Sequence, residues 1–134
     1  MTSWIWISDL LLYVIHDRQI VDYGGLPGIR DENAILSALA KPQQHANYGT
    51  PDLAELSADY LVGLAKNHGF NDANKRTAWA TARTFLLLNG YSLAKNGLEA
   101  VTMVEDVASS QMSLGEVTIW YRARIQKLLK QTGV

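Results

Sequence analysis

His68-Gly69-Phe70-Asn71-Asp72-Ala73-Asn74-Lys75-Arg76 is the stretch on which the reading of this sequence turns. It follows a run in which Leu53, Leu56, Tyr60 and Leu64 recur at helical period, and it precedes another through Ala78, Ala82, Phe85 and Leu86. The stretch therefore joins two helices, passing from a loop at Asn67-His68-Gly69 into the N-terminus of the second near Asn74. The first turn of a helix presents N–H groups with no acceptor in the helix and the positive end of the peptide dipoles, which suits phosphate. In that turn Asn74 offers an amide donor, Lys75 a point cation and Arg76 a planar fork. Just upstream, the Asp72 carboxylate can hold a magnesium ion that bridges substrate phosphates. Imidazoles titrate near neutral pH, so His68 suits a general base that takes a proton from an attacking hydroxyl. Phe70 is expected to turn inward and anchor the loop, and is grouped with Asn74, Lys75 and Arg76 in the nucleotide-binding set. The side chains of Asp72 and Arg76 are expected to face solvent and ligand. Spacing alone leaves a second reading open, in which His68 is a surface histidine, Asp72 an acid at a helix start, and Lys75 and Arg76 solvated charges.

At 134 residues the chain has the length of one domain with one apolar core, and 1–134 is read as a single unit. Hydrophobic residues make up 48% and charged residues 19%, which places it among globular chains. A net charge of −1 argues against broad attachment to nucleic acid or anionic membrane, which needs an excess of Lys and Arg. With no cysteine there is no thiol nucleophile or Cys-ligated zinc, which fits a reducing cytoplasm, the expected location. The apolar N-terminal run is interrupted at Ser8-Asp9 and has no basic segment before it, so no signal peptide and no membrane span are expected.

Working outward, Trp4 to Ile7 reads as a short strand, and Ser8 or Asp9 caps a first helix to about Tyr23, ended by Gly24-Gly25. Gly24-Gly25-Leu26-Pro27-Gly28 reads as an ordered structural turn, with an edge of a substrate groove as the second reading. Asp31 caps a second helix through Ile35, Leu36 and Leu39 that Pro42 is expected to stop, leaving 43–51 as a polar connector. Asp52 caps the third helix, and the fourth ends at Asn89-Gly90. A fifth is expected from about Leu98 to Ser109, and a sixth from the Ser113/Glu116 capping box, with Val117, Trp120, Tyr121, Arg124 and Leu128 on one face. The expected architecture is all-α, a helical bundle of about six helices.

The nine-residue stretch resembles the His-x-Phe-x-Asp/Glu-Gly/Ala-Asn-Gly/Lys-Arg signature of the Fic/Doc superfamily, and specifically the Doc branch. The likeness extends to Ile15-His16-Asp17, to Tyr23-Gly24-Gly25-Leu26-Pro27-Gly28-Ile29-Arg30-Asp31 and to Thr77-Ala78, covering most of residues 8–90. It implies the all-helical Fic-type fold and a similarity to death-on-curing toxins of toxin–antitoxin pairs. Two departures refine it. The nucleotidyl-transferring members carry glycine where this chain has Lys75, and a second arginine where it has Trp79. Lysine there would crowd the phosphate nearest the sugar and supply charge, so the nucleotide is expected to bind reversed, with its terminal phosphate at His68. That implies an ATP-dependent kinase, by resemblance one that phosphorylates a threonine of elongation factor Tu and arrests translation. His68 would be the base, Asp72 the Mg2+ ligand, and Asn74, Lys75 and Arg76 the phosphate clamp. Transfer of AMP to a hydroxyl, and a non-catalytic antitoxin-binding module, are the alternatives.

Many relatives of this kind are restrained by a Ser/Thr-x-x-x-Glu helix. The residues four before Glu32, Glu55, Glu99, Glu105 and Glu116 are Gly28, Pro51, Lys95, Val101 and Met112, so the pattern is missing. Restraint is then expected from a separate Phd-type antitoxin, with nucleic acid reached only through it. Of the remaining candidates, His16 falls amid Leu12, Ile15 and Ile20 and reads as structural, with a share in the site as the second reading. His45 has no partner in sequence, and no two histidines have the spacing of a helical zinc pair. Trp120 and Tyr121 read as core or partner surface.

Overall fold

A computed structural model describes residues 3–94 and 97–128. The order is α1 (Asp9–Tyr23), α2 (Glu32–Tyr48), α3 (Leu53–Lys66), α4 (Asn74–Leu88), β1 (Tyr91–Leu93), α5 (Gly97–Ala108), α6 (Leu114–Arg122) and β2 (Ile125–Lys127). Four helices begin where side-chain chemistry starts them. Ser8 accepts from Leu11 N–H and Asp31 from Ala34 N–H, while Asp52/Glu55 and Ser113/Glu116 form reciprocal capping boxes.

The bundle is built around α3, whose Leu56, Ala58, Tyr60 and Leu61 are fully buried, and which packs against α2, α4, α5 and α6. Small residues let the helices close on one another: Gly63 of α3 faces Ala38 of α2, where an added Cβ would lie 3.3 Å from the alanine methyl. Tyr60, Phe85, Leu12, Ile35 and Val117 fill the interior between them. This is the expected all-α bundle, with one small addition.

That addition is an antiparallel pair, β1 with β2, in which Leu93 faces Ile125 and Tyr91 faces Lys127. The sixth helix accordingly stops at Arg122, and Arg124 and Leu128 do not continue its face as expected. Conversely, Trp4 to Ile7 forms no ladder. Its backbone bonds go to side chains: Ile5 N–H donates to Asn89 Oδ1, Asn89 Nδ2 donates to Ile5 O, and Ile7 N–H donates to the Tyr60 hydroxyl. Trp6 stacks on Phe85 there, at 5.9 Å. The expected stop at Pro42 is also overturned, since α2 runs through it to Tyr48. Proline removes one hydrogen bond, but Pro42 is buried and the turn beyond it is tied to α3. His45 Nδ1 lies 2.8 Å from Oδ2 of buried Asp59, and His45 Nε2 3.4 Å from Glu55. His45 thus has partners that sequence proximity did not reveal.

Tyr60 and Tyr121 are both fully buried, and burial pushes the Tyr60 phenol up to about 12 and raises that of Tyr121. Only the Tyr60 hydroxyl has a partner; that of Tyr121 has none among the described residues. Tyr60→Phe should therefore cost about 1–3 kcal/mol by orphaning the Ile7 N–H, whereas Tyr121→Phe should be neutral or stabilising. Urea midpoints of the two variants check this, and equal losses would contradict it.

Candidate active site

After α3 the chain breaks its helix at His68, which adopts a left-handed φ of 50°. Gly69 is buried against Ile35 with no room for a Cβ, and its carbonyl accepts from Arg30 N–H (2.8 Å) and Asp31 N–H (3.0 Å). Phe70 bridges Ile29, and Asn71 N–H donates to Gly28 O while its side-chain amide donates to Pro27 O. Leu26 N–H then donates to Asp72 Oδ2 at 3.0 Å. The glycine-rich segment thus runs alongside the motif and is bonded to it. Gly25, at φ 123°, makes this approach possible, because a Cβ there would sit 2.8 Å from Asp72 Oδ2 and 3.2 Å from Arg76 Nη2.

Ala73 takes a second left-handed turn, φ 62°, immediately before α4. No side chain caps this helix, and its first internal bond runs from Thr77 N–H to Ala73 O. The N–H groups of Asn74, Lys75 and Arg76 are therefore left for an anion. They border a cleft of about 360 Å³ lined also by His68, Asn71 and Asp72. No described residue hydrogen-bonds the exposed His68 imidazole, so both ring nitrogens are open to a ligand. Beside it a smaller apolar groove of about 180 Å³ runs between α4 and α5, past Lys75, Trp79, Val104 and Glu105.

The structure divides the nine residues by task. Phe70, 3% exposed, lies beneath the cleft and does not line it, so its part is to anchor the loop. Asn74 turns back on that anchor: Oδ1 accepts from Phe70 N–H and Nδ2 donates to Phe70 O, both at 3.0 Å. Its side chain is thus a loop clamp, and at the helix start only its backbone N–H stays open. Arg76 lines the cleft, as expected, but is half-buried and turned in part onto the glycine loop. It donates to Gly24 O (2.8 Å) and Gln19 O (3.2 Å), near the Tyr23 ring. Asp72 is exposed as expected, yet each carboxylate oxygen already accepts a backbone N–H, from Leu26 and from Ala73. Those two bonds, helped by Arg76 and His16, hold its pKa below the ordinary carboxylate value. Lys75 reaches out to Glu105 on α5 at 2.8 Å, a contact with no signal in sequence order. His16, read from sequence as structural, meets the motif through Phe70 and the Asp72 carbonyl.

Residues 6–86 match the sequence model of the Fic/DOC family. The chain belongs to that family. It is 38% identical over 112 residues to the protein named Protein kinase doc of Escherichia phage P1, across 83% of this chain and 88% of that one. It is 44% identical over 77 residues to Toxin Doc of Mycolicibacterium smegmatis, across 55% of this chain and 58% of the relative. The Fic/DOC match begins in the segment before α1 and ends within α4. It therefore contains both the glycine loop and the motif that the loop braces, while Glu105 lies beyond it. No described helix is long and apolar enough to cross a membrane.

A carboxylate whose folded pKa is depressed adds stability above its unfolded pKa, and that contribution is lost as pH falls through the folded value. Asp72→Asn removes the titration and keeps the shape. The stability advantage of the unsubstituted protein over this variant should shrink between about pH 5 and pH 2. Urea midpoints of the two proteins across that range measure it; a pH-independent gap would overturn the assignment.

Proposed function

We propose that this chain is the toxin of a toxin–antitoxin pair and acts as an ATP-dependent protein kinase. The observation that carries the reading is the uncapped start of α4, which opens onto a cleft with His68 at its rim and Lys75 in the first turn. The hydroxyl oxygen of a protein substrate attacks the γ-phosphorus, its proton passes to His68, and the bond to the ADP oxygen breaks. The three free N–H groups and Lys75 stabilise the charge gathered on the phosphoryl oxygens. Arg76, with two of its five donors spent on carbonyls, keeps others for phosphate while it holds the glycine loop. The names of the two relatives, a protein kinase and a toxin, support the same reading.

Asp72 suits magnesium, which binds through one or two carboxylates together with phosphates: it stays ionised, and each oxygen retains a lone pair after its backbone bond. An ion held there would offset phosphate charge. Two observations favour phosphoryl over nucleotidyl transfer. Lys75 puts an ammonium and its stem where a glycine would leave space, and Trp79 lacks the charge and the fork of a second arginine. The Trp79 indole packs against Trp120 (6.0 Å) and Tyr121 (6.5 Å) instead. Family resemblance supplies the finer terms of the proposal: a threonine of elongation factor Tu as target, and a Phd-type antitoxin as the restraining partner through which nucleic acid is reached.

Radiolabel position tests the reaction. With purified elongation factor Tu, label from γ-labelled ATP should move to the target and label from α-labelled ATP should not. His68→Ala should slow transfer by about a hundredfold or more while leaving the unfolding midpoint near that of the parent. Transfer of α label instead would sink the kinase reading, and growth arrest unchanged by His68→Ala would sink both enzymatic ones.

A further inference from the structure

His16 lies on α1, 56 residues before Asp72 in sequence, and is 2% exposed. Its ring lies flat on Phe70, with centroids 3.8 Å apart and planes 6° from parallel. Its Nε2 is 3.0 Å from the Asp72 carbonyl oxygen. A carbonyl oxygen only accepts, so Nε2 carries the proton and donates. One side chain therefore holds two motif residues, Phe70 by its face and Asp72 by its main chain.

The geometry points to His16 as a positioning residue for the phosphate site: it sets the peptide between Asp72 and Ala73. That peptide leads into the left-handed turn at Ala73, and the turn aims the N–H groups of Asn74, Lys75 and Arg76 at the cleft. The carboxylate of Asp72 shares the same Cα. Without the bond, that carbonyl has no partner among the described residues and the peptide is held only from its N–H side, by the Asp72 carboxylate, so more of the anion site must be assembled by the ligand rather than met ready-made. A buried histidine that merely fills space would touch Phe70 without engaging the one carbonyl that precedes the turn. This role deepens the kinase reading and rests on it for the chemistry, but not for the binding of phosphate.

Two substitutions separate donor from stack. His16→Phe keeps an aromatic face on Phe70 and loses the N–H; His16→Gln keeps an N–H at similar reach and loses the ring. The primary readout is the shift of the Asn74, Lys75 and Arg76 amide resonances on titration with inorganic phosphate, followed by KM for ATP and kcat. His16→Phe should weaken phosphate binding and raise KM by about tenfold, the worth of one buried hydrogen bond, and His16→Gln should recover most of it. A folded His16→Phe protein with parental phosphate binding would falsify the assignment, as would a folded His16→Gln protein no better than it. Should His16→Phe fail to fold, His16→Gln decides alone. Phosphate binding within about twofold of the parent supports the donor, and a tenfold loss at parental thermal stability overturns it. If the parent protein moves no label but its amides respond to phosphate and His16→Phe blunts the response, the kinase reading fails and the positioning role stands. If label moves equally well in both, the reverse holds.

Discussion

The open N-terminus of α4 is the constraint on which the rest of the site depends. A helix start without a side-chain cap forgoes about 1 kcal/mol relative to one capped by Ser, Asp or Asn, and this chain caps α1, α2, α3 and α6 in just that way. At the start of α4 stand three residues of the capping type, Asn71 and Asp72 before the helix and Asn74 as its first residue, and every one of their side chains is bonded elsewhere. Asn71 goes to Pro27, Asp72 to Leu26 and to its neighbour Ala73, and Asn74 back to Phe70. The diversion leaves the helix start free for an outside anion. It also ties the glycine loop and the motif into one bonded unit, because the diverted side chains need partners, and α1 joins that unit through His16 and through Arg76 on Gln19 O.

Holding a helix start open requires the turn before it to be over-determined, since left-handed φ values at His68 and Ala73 are unfavourable for residues with a Cβ. The surroundings supply that determination from three directions. Buried Gly69 and Phe70 pin the loop to the core, the segment Gly24–Asp31 runs along its outer side, and His16 holds it from α1. All three lie within residues 6–86, the span that matches the family. The neighbours that α5 contributes, Glu105 and Ala108, lie outside that span. The bracing of the open α4 start therefore belongs to the shared part of the chain, and the wall facing Lys75 does not.

What the sequence made legible follows the range of the interactions. Caps at Ser8, Asp31, Asp52 and Ser113 and the break at Asn89-Gly90 depend on residues within one turn of each other, and all of them form where the residue types place them. The errors in the secondary-structure elements all involve distant partners. Trp4–Ile7 is not a strand because Asn89 and Tyr60 take its backbone bonds, and α2 continues through Pro42 where His45 ties its last turns to Asp59. The β1–β2 pair joins segments on either side of α5 and α6, so no local pattern announced it. Within the motif the residue types pointed to phosphate, but they could not say that the Asn74 side chain is committed to Phe70. Nor could they show that Arg76 and Asp72 also hold the loop. Side chains of one chemistry serve ligand or scaffold according to which acceptor lies nearest, and only the fold settles that.

Lys75 shows how the resting site stays available. Its ammonium is paired with Glu105 at 2.8 Å, yet both side chains are about half exposed, 47% and 59%. Such a pair is worth at most about 1 kcal/mol. The Glu105 carboxylate offers Lys75 a single exposed charge, so on the proposed reading a phosphate that also met the backbone donors of the α4 start would compete with it effectively. Asp72 and Arg76 are not released in this way, since their partners are backbone groups of the loop and not a single exposed side chain. The cleft thus combines one cation that can change partner with a carboxylate and a guanidinium that are fixed in place. That combination sets one exchangeable charge beside a rigid frame of carboxylate and guanidinium.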